Sequence, residues 1–428
     1  MHRWIQVGLP TALILILMVS RGFAQPEEYA KFRQNLQEFI DIALEVNPVL
    51  KKAQNRIKVS QEIPDQAASL DDPILRLGLM NVPVDTFKLG QEAMTQKQVT
   101  LSQKLPFPGK LGLREDIARK DVGVTEQAYE RLKLSIKRQV KQSYYELCFV
   151  LAAIDITREN KTLLEQFVTI TSIKYGVGKG IQQDVLKAQV ELSKIMDELI
   201  KLNKRKESEQ ARLNTLMDRL PQTPLSISHG IRKTSLNFEI EELQGLTEES
   251  NPSLQELTIL KEKFQLSRKL AKKEYYPDFN VGFRYGQREN SPITDHPDFL
   301  SAFVGVNIPL WYKTKQRRKV AEEAYRVDVV QEAYRDSRNL LFLRIKELLD
   351  EEARQSETLQ LIAQGILPQA RQSLDSAMAG YSVDKVDFLT LLDNELTLFK
   401  WQIKYHEELA RHEKTLAELE QVVGTGLF

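Results

Sequence analysis

The chain has 428 residues, 42 % of them hydrophobic, which is enough for one or two sizeable cores. Its 60 basic and 59 acidic residues nearly cancel, so the basic surplus with which a nucleic-acid binder holds phosphates is absent. A single cysteine, Cys148, excludes an internal disulfide, and its place in "YYELCFVLAAI" reads as a buried, inert thiol on an apolar helix face.

In chain order, residues 1–24 come first. Arg3 gives a positive start, "VGLPTALILILMV" is an apolar run of 13, and "GFA" ends in a small-residue cleavage pattern at Ala24. This reads as a secretory signal peptide. Its removal leaves 58 basic against 59 acidic residues, and Gln25 stands where a lipoprotein would need cysteine. No later apolar stretch approaches 18 residues, so no helix of the exported chain is expected to span a bilayer.

The remainder is duplicated. "EVNPVLKKA" (45–53) returns as "ESNPSLQEL" (249–257), offset by 204, and "KLPFPGK" (104–110) returns as "NIPLWYK" (307–313), offset by 203. "YGVGKGIQQDVLKAQ" (175–189) returns as "YSVDKVDFLTLLDNE" (381–395), offset by 206. The expected organisation is a first repeat over 25–219, a connecting segment over 220–243 and a second repeat over 244–428. Each repeat reads helix, strand pair, long helix, turn, helix.

The strand pairs fall at about 73–106 and 278–309. Leu75, Leu77 and Leu79 alternate with Arg76 and Gly78; Val99, Leu101 and Leu105 alternate with Gln98, Thr100, Ser102 and Lys104. Phe279, Val281, Phe283 and Tyr285 alternate with Asn280, Gly282, Arg284 and Gly286, and "LSAFVGVNI" continues the pattern. Four such strands, apolar on one face and polar on the other, suit a transmembrane barrel with a watery lumen. Phe279, Val281, Phe283 and Tyr285 should then face lipid, and a charge at Gly282 should be tolerated. Four strands cannot close a barrel, and an open edge cannot sit in lipid. Three chains would pool twelve strands around a usable lumen.

From Leu113 to Tyr175 there is no proline and one glycine, Gly123, so one helix on the order of 95 Å is expected. In the next helix, positions 185, 188, 192, 195, 199, 202, 206, 209, 213 and 216 form a coiled-coil seam, broken by Lys206 and Glu209. Gly365 and Pro368 should break the corresponding long helix of the second repeat.

The duplicated turn, its partner and the proline-bounded hairpins resemble the outer-membrane efflux protein family, the TolC-like channels. "LSQKLPFPGKLGLR" resembles the branch serving heavy-metal and cation exporters. The resemblance implies a mainly α protein with membrane β structure: a trimeric twelve-stranded barrel in outer-membrane lipid and long helices forming a periplasmic α-barrel. It implies an inner-membrane pump and a periplasmic adaptor as partners, with Gly176, Val177, Gly178, Lys179, Ser382 and Val383 at the adaptor contact. It also implies an aperture formed by Asp393, Thr390, Asp184 and Tyr381, with Val386 where the family has a basic latch residue. No cofactor or nucleic acid is implied.

Catalysis and metal binding find no support. The five histidines (2, 229, 296, 406, 412) give no pair at ligand spacing. Gly176, Gly178 and Gly180 follow a helix rather than a strand and lack the lysine and Ser/Thr of a phosphate loop. Three readings stay open: an efflux conduit, a conduit for secreted polypeptides, and an exported coiled-coil scaffold without a pore.

Overall fold

The computed structural model describes residues 26–227, 230–291 and 294–428. The expected signal peptide and His229 lie outside the described residues. In order, the elements are α1 (Pro26–Val46), α2 (Pro48–Gln61), α3 (Ile63–Ala68), β1 (Ile74–Met80), β2 (Gln96–Leu105), α4 (Lys110–Gly176) and α5 (Gln182–Leu216). There follow α6 (Ile240–Ser250), α7 (Pro252–Lys273), β3 (Phe279–Gln287), β4 (Phe299–Val306), α8 (Gln316–Leu361), α9 (Leu367–Ser382) and α10 (Phe388–Val423). Two compact units result among the described residues, and neither follows a sequence half: one lies within 52–130 and 252–339, the other holds the remaining described residues. Helix α4, 67 residues long, contributes to both.

The first unit holds one antiparallel sheet in the order β1-β2-β3-β4. Its register aligns Leu77, Val99, Tyr285 and Leu300 in one row and Leu75, Leu101, Phe283 and Ala302 in another. Opposed residues share a face, so the apolar positions of all four strands form one continuous surface. Leu77, Leu300 and Val304 on it are 74 %, 78 % and 67 % exposed, a patch that demands cover by lipid or another chain. The polar face has one unexpected feature. Gly282 is buried, and a Cβ there would land on the Phe303 ring of the neighbouring strand. The aromatic side chain covers the glycine, which corrects the expectation that Gly282 faces open lumen and tolerates a charge. Beneath the sheet, Lys110 donates to Asp278 Oδ1 at 2.7 Å and to the Tyr276 carbonyl at 3.1 Å, while Phe107 stacks on Tyr276.

In the second unit the α5 seam is shielded at all ten positions, with Ala188 and Leu213 fully buried. Successive clusters involve Phe167, Ile195, Leu374 and Phe388, then Phe149, Ile154, Leu202 and Ala410, then Leu243, Ile345, Leu419 and Val423. Cys148 is fully buried here, and burial pushes its thiol pKa up, as an inert residue requires. The connecting segment after α5 is held by Asn214, which donates to the Pro221 and Thr223 carbonyls, and by Thr234, bound to Glu413.

Proline 368 does not end the helical run. Leu361, Ile366 and Leu367 all keep helical dihedrals, and a π turn at Ile362–Ile366 intervenes between α8 and α9. Pro368 lacks an N–H, and the widened turn before it absorbs the missing bond, with Leu367 N–H donating to the Ile362 carbonyl. The expected break is therefore a bulge.

The duplication is visible in hydrogen bonds. Asn47 Nδ2 donates to the Leu216 carbonyl at 2.8 Å, and Asn251 Nδ2 donates to the Val422 carbonyl at 2.7 Å. Each asparagine thus closes the last turn of the returning helix of its own repeat, where carbonyls lack helical partners. Asn47→Ala and Asn251→Ala should each cost about 1–3 kcal/mol by leaving a buried or partly buried acceptor unpaired. Thermal unfolding of the two variants checks this, and markedly unequal losses would contradict the equivalence.

Candidate functional site

The two duplicated turns lie in the same unit, between α4 and α5 and between α9 and α10. In the first, Lys179 N–H donates to the Lys174 carbonyl at 2.8 Å; in the second, Lys385 N–H donates to the Gly380 carbonyl at 2.9 Å. Each closes a six-residue C-terminal loop that needs one left-handed residue. Gly178 (φ +73°) and Asp384 (φ +55°) fill that place, 206 positions apart. The other left-handed pair at the same offset, Asp218 (φ +54°) and Gly424 (φ +97°), follows α5 and α10. Glycine and aspartate exchange places between the repeats, consistent with the tolerance of both for this conformation.

A second exchange explains Val386. A Cβ on Gly180 would sit 3.2 Å from the Lys174 Cβ, and one on Gly380 would sit 3.2 Å from the Val386 Cβ. Each turn therefore opposes one glycine to one larger side chain, with the order reversed. Val386 packs where a long basic side chain would need a different partner than Gly380.

The sequence reading missed Lys174. Its ammonium lies 4.0 Å from the Tyr381 ring centroid, donates to the Tyr381 carbonyl at 3.2 Å and pairs with Asp384 Oδ1 at 2.6 Å. One side chain thus ties the first turn to the second. Tyr381 also packs near Phe388, which meets Phe167 edge-on. Val177 and Val383 stand at equivalent positions, 65 % and 60 % exposed, and Gly176, Lys179 and Ser382 are exposed beside them. A Cβ on Gly176 or Gly178 would meet nothing within 4 Å.

Of the expected aperture residues, Thr390 is engaged locally. Asp387 caps α10 by accepting the Thr390 N–H at 2.8 Å, and the Thr390 hydroxyl donates to the same carboxylate at 3.0 Å. These bonds hold the Asp387 pKa below the ordinary range. Burial raises the Asp184 pKa, with the Asp387 charge adding to it. Burial also raises Tyr381, opposed by Lys174 and reinforced by Asp184. Asp393 is exposed on α10. The structure thus places Asp184 within electrostatic reach of both Asp387 and Tyr381, while Asp393 stands further along α10.

Lys174 holds the Asp384 pKa low, first through the hydrogen bond and then through its charge. A depressed carboxylate stabilises the fold above its unfolded pKa of about 4 and loses that contribution as pH falls through the folded value. Asp384→Asn should therefore lower the thermal midpoint slightly at pH 7, and the gap from wild type should close in strong acid. A gap independent of pH would mean the pair does not tie the turns.

Among the described residues, no group of three or more His, Cys, Asp or Glu could hold a metal ion, and no helix is long and apolar enough to cross a membrane.

Residues 39–219 match the family described as outer membrane efflux protein. The cobalt-zinc-cadmium resistance protein CzcC of Cupriavidus metallidurans is 20 % identical over 341 residues, which are 79 % of each chain. Among solved structures, the outer-membrane channel OprN aligns with a TM-score of 0.77 at 15 % identity, covering 95 % of this chain and 94 % of that one. The outer membrane protein VceC of Vibrio cholerae aligns with a TM-score of 0.77 at 17 % identity, covering 93 % and 98 %. CusC, described for transmembrane channel formation, aligns with a TM-score of 0.77 at 15 % identity, covering 95 % and 96 %. At these identities the solved structures show a shared fold.

Proposed function

We propose that the chain, whose residues 39–219 match the outer membrane efflux protein family, is the outer-membrane channel of a tripartite efflux system. In this reading it is a passive conduit for solutes delivered by an inner-membrane pump through a periplasmic adaptor. The observation that carries this is the sheet: apolar on one face, polar on the other, with β1 and β4 as open edges. Open edges cannot remain in lipid, and β4 of one copy beside β1 of the next preserves the antiparallel order. Three copies give twelve strands and a water-filled lumen. The helical unit would lie in the periplasm, its exposed turn residues Gly176, Val177, Gly178, Lys179, Ser382 and Val383 meeting the adaptor. The name of the CzcC relative makes divalent metal cations the first cargo to assay.

Membrane fractionation followed by native mass spectrometry in detergent tests the assembly. A trimer from the outer membrane supports the conduit, and a soluble rod overturns it in favour of a scaffold. The aperture has its own test. Threefold symmetry would gather three exposed Asp393 carboxylates around one axis, and acidic rings attract cations. Asp393→Ala should then lower cation preference and divalent block in single-channel recordings, and Tyr381→Phe with Asp184→Ala should raise conductance. Unchanged selectivity and block in Asp393→Ala would remove the carboxylate ring.

A further inference from the structure

We infer that the polar face of the sheet carries an anion-selecting layer built from Arg76 and Arg284. This rests on the conduit reading above and deepens it by assigning a charge class to what the barrel passes. The four strands contain Arg76, Lys97, Lys104 and Arg284 and no aspartate or glutamate. Such a bias is notable in a chain whose basic and acidic residues otherwise balance.

The cations are not equivalent. Lys97 belongs to the apolar side of the register, opposite Leu79 and Gln287, and pairs with Glu289 at 2.7 Å. Lys104 lies 3.5 Å from Asp71, just before β1. Arg288, beyond β3, donates its backbone N–H to Asp298 Oδ1, and its guanidinium lies 4.0 Å from the Phe299 ring centroid. Glu289 and Asp71 thus engage the two lysines near the strand ends. Arg76 and Arg284 stand instead in one interior row with Thr100 and Ser301, an array with no carboxylate in it.

That row is positioned rather than loose. Arg284 Nε donates to Thr100 Oγ1 at 3.4 Å, and its guanidinium lies 5.9 Å from the Phe303 ring centroid. Phe303 is in turn seated over Gly282. The glycine, the ring and the guanidinium form one stack, which accounts for an aromatic residue on the polar face. With two arginines per chain, a closed trimer brings six to the lumen, three copies of Arg76 and three of Arg284. Arginine stays charged at any physiological pH, and rings of arginine favour anions as rings of carboxylate favour cations. Within the barrel the layer favours anions, a bias opposite to that of the Asp393 aperture.

Planar-bilayer recording of the full trimer in a potassium chloride gradient tests this. The wild-type reversal potential should lie on the anion side of that of Arg76→Gln/Arg284→Gln, while Arg76→Lys/Arg284→Lys should stay near wild type. A conducting double-glutamine variant with an unshifted reversal potential would overturn the layer and leave the conduit intact. A wild-type trimer that never conducts would sink the conduit reading, and this proposal with it. A second measurement needs no arginine variant. Ser301→Cys places a thiol in the same row, and the buried Cys148 does not compete for reagent. Its modification by a sulfonate-bearing methanethiosulfonate should be faster, relative to free thiol, than by the trimethylammonium analogue. Equal rates, or a faster cationic reagent, would overturn the proposal even if the glutamine variant failed to assemble.

Discussion

Val281→Arg should nearly abolish the trimer recovered from outer membranes, while Asn280→Arg, one residue earlier, should leave it near wild type. Val281 shares its row with Gln103 and Val304 on the apolar face; Asn280 shares the polar face with Lys104 and Gly305. An arginine on the lipid face of a membrane barrel costs about 2–4 kcal/mol at the bilayer midplane. Threefold assembly applies that cost three times to one closure equilibrium. On the polar face the same side chain remains in water. Asn280 is the right control because Gly282, although on the polar face, has no room: any side chain there displaces the Phe303 ring. Quantifying heat-modifiable trimer in outer-membrane fractions checks the pair. Equal losses at both positions, or equal tolerance, would mean the apolar face does not meet lipid.

What the sequence conveyed and what it withheld divide along a physical line. Alternation with period two and a seam with alternating steps of three and four are local patterns, and each is imposed by the face that must be buried. The sheet rows and the α5 seam were legible for that reason. Contacts between distant turns carry no such period. Lys174 meets Asp384 across 210 positions, and nothing near "IKYGVGKG" announces the partner. The opposed Gly180–Lys174 and Gly380–Val386 pairs become readable only once both turns are laid over each other; the constant offset of 206 was the available signal. Pro368 misled for a different reason. A proline removes one donor and crowds one turn, and a helix held on both sides by a core can widen locally instead of ending. Phe303 stands among the polar-face positions of β4, and its purpose lies on the neighbouring strand, over Gly282.

Gly178→Val should eliminate export while trimer abundance stays close to wild type, whereas Gly178→Asn should retain most of the export. The φ of +73° places this residue in the left-handed region, which costs an L-residue roughly 1–2 kcal/mol and a β-branched one more. Asparagine adopts that conformation with less strain, and the second repeat already places Asp384 in the equivalent position. A Cβ at Gly178 meets nothing within 4 Å, so no core is disturbed and the damage is confined to the turn. There, valine would pull the backbone out of the loop closed by Lys179 N–H and the Lys174 carbonyl. The same lysine carries the bridge to Tyr381 and Asp384, so a distorted first turn also misplaces the second. An adaptor that reads both turns would lose its match at both. Export assays in a strain lacking the native gene, beside immunoblots of the assembled trimer, separate the outcomes. Wild-type export by Gly178→Val would remove the turn from the contact, and a parallel fall in trimer would make the turn a folding element instead.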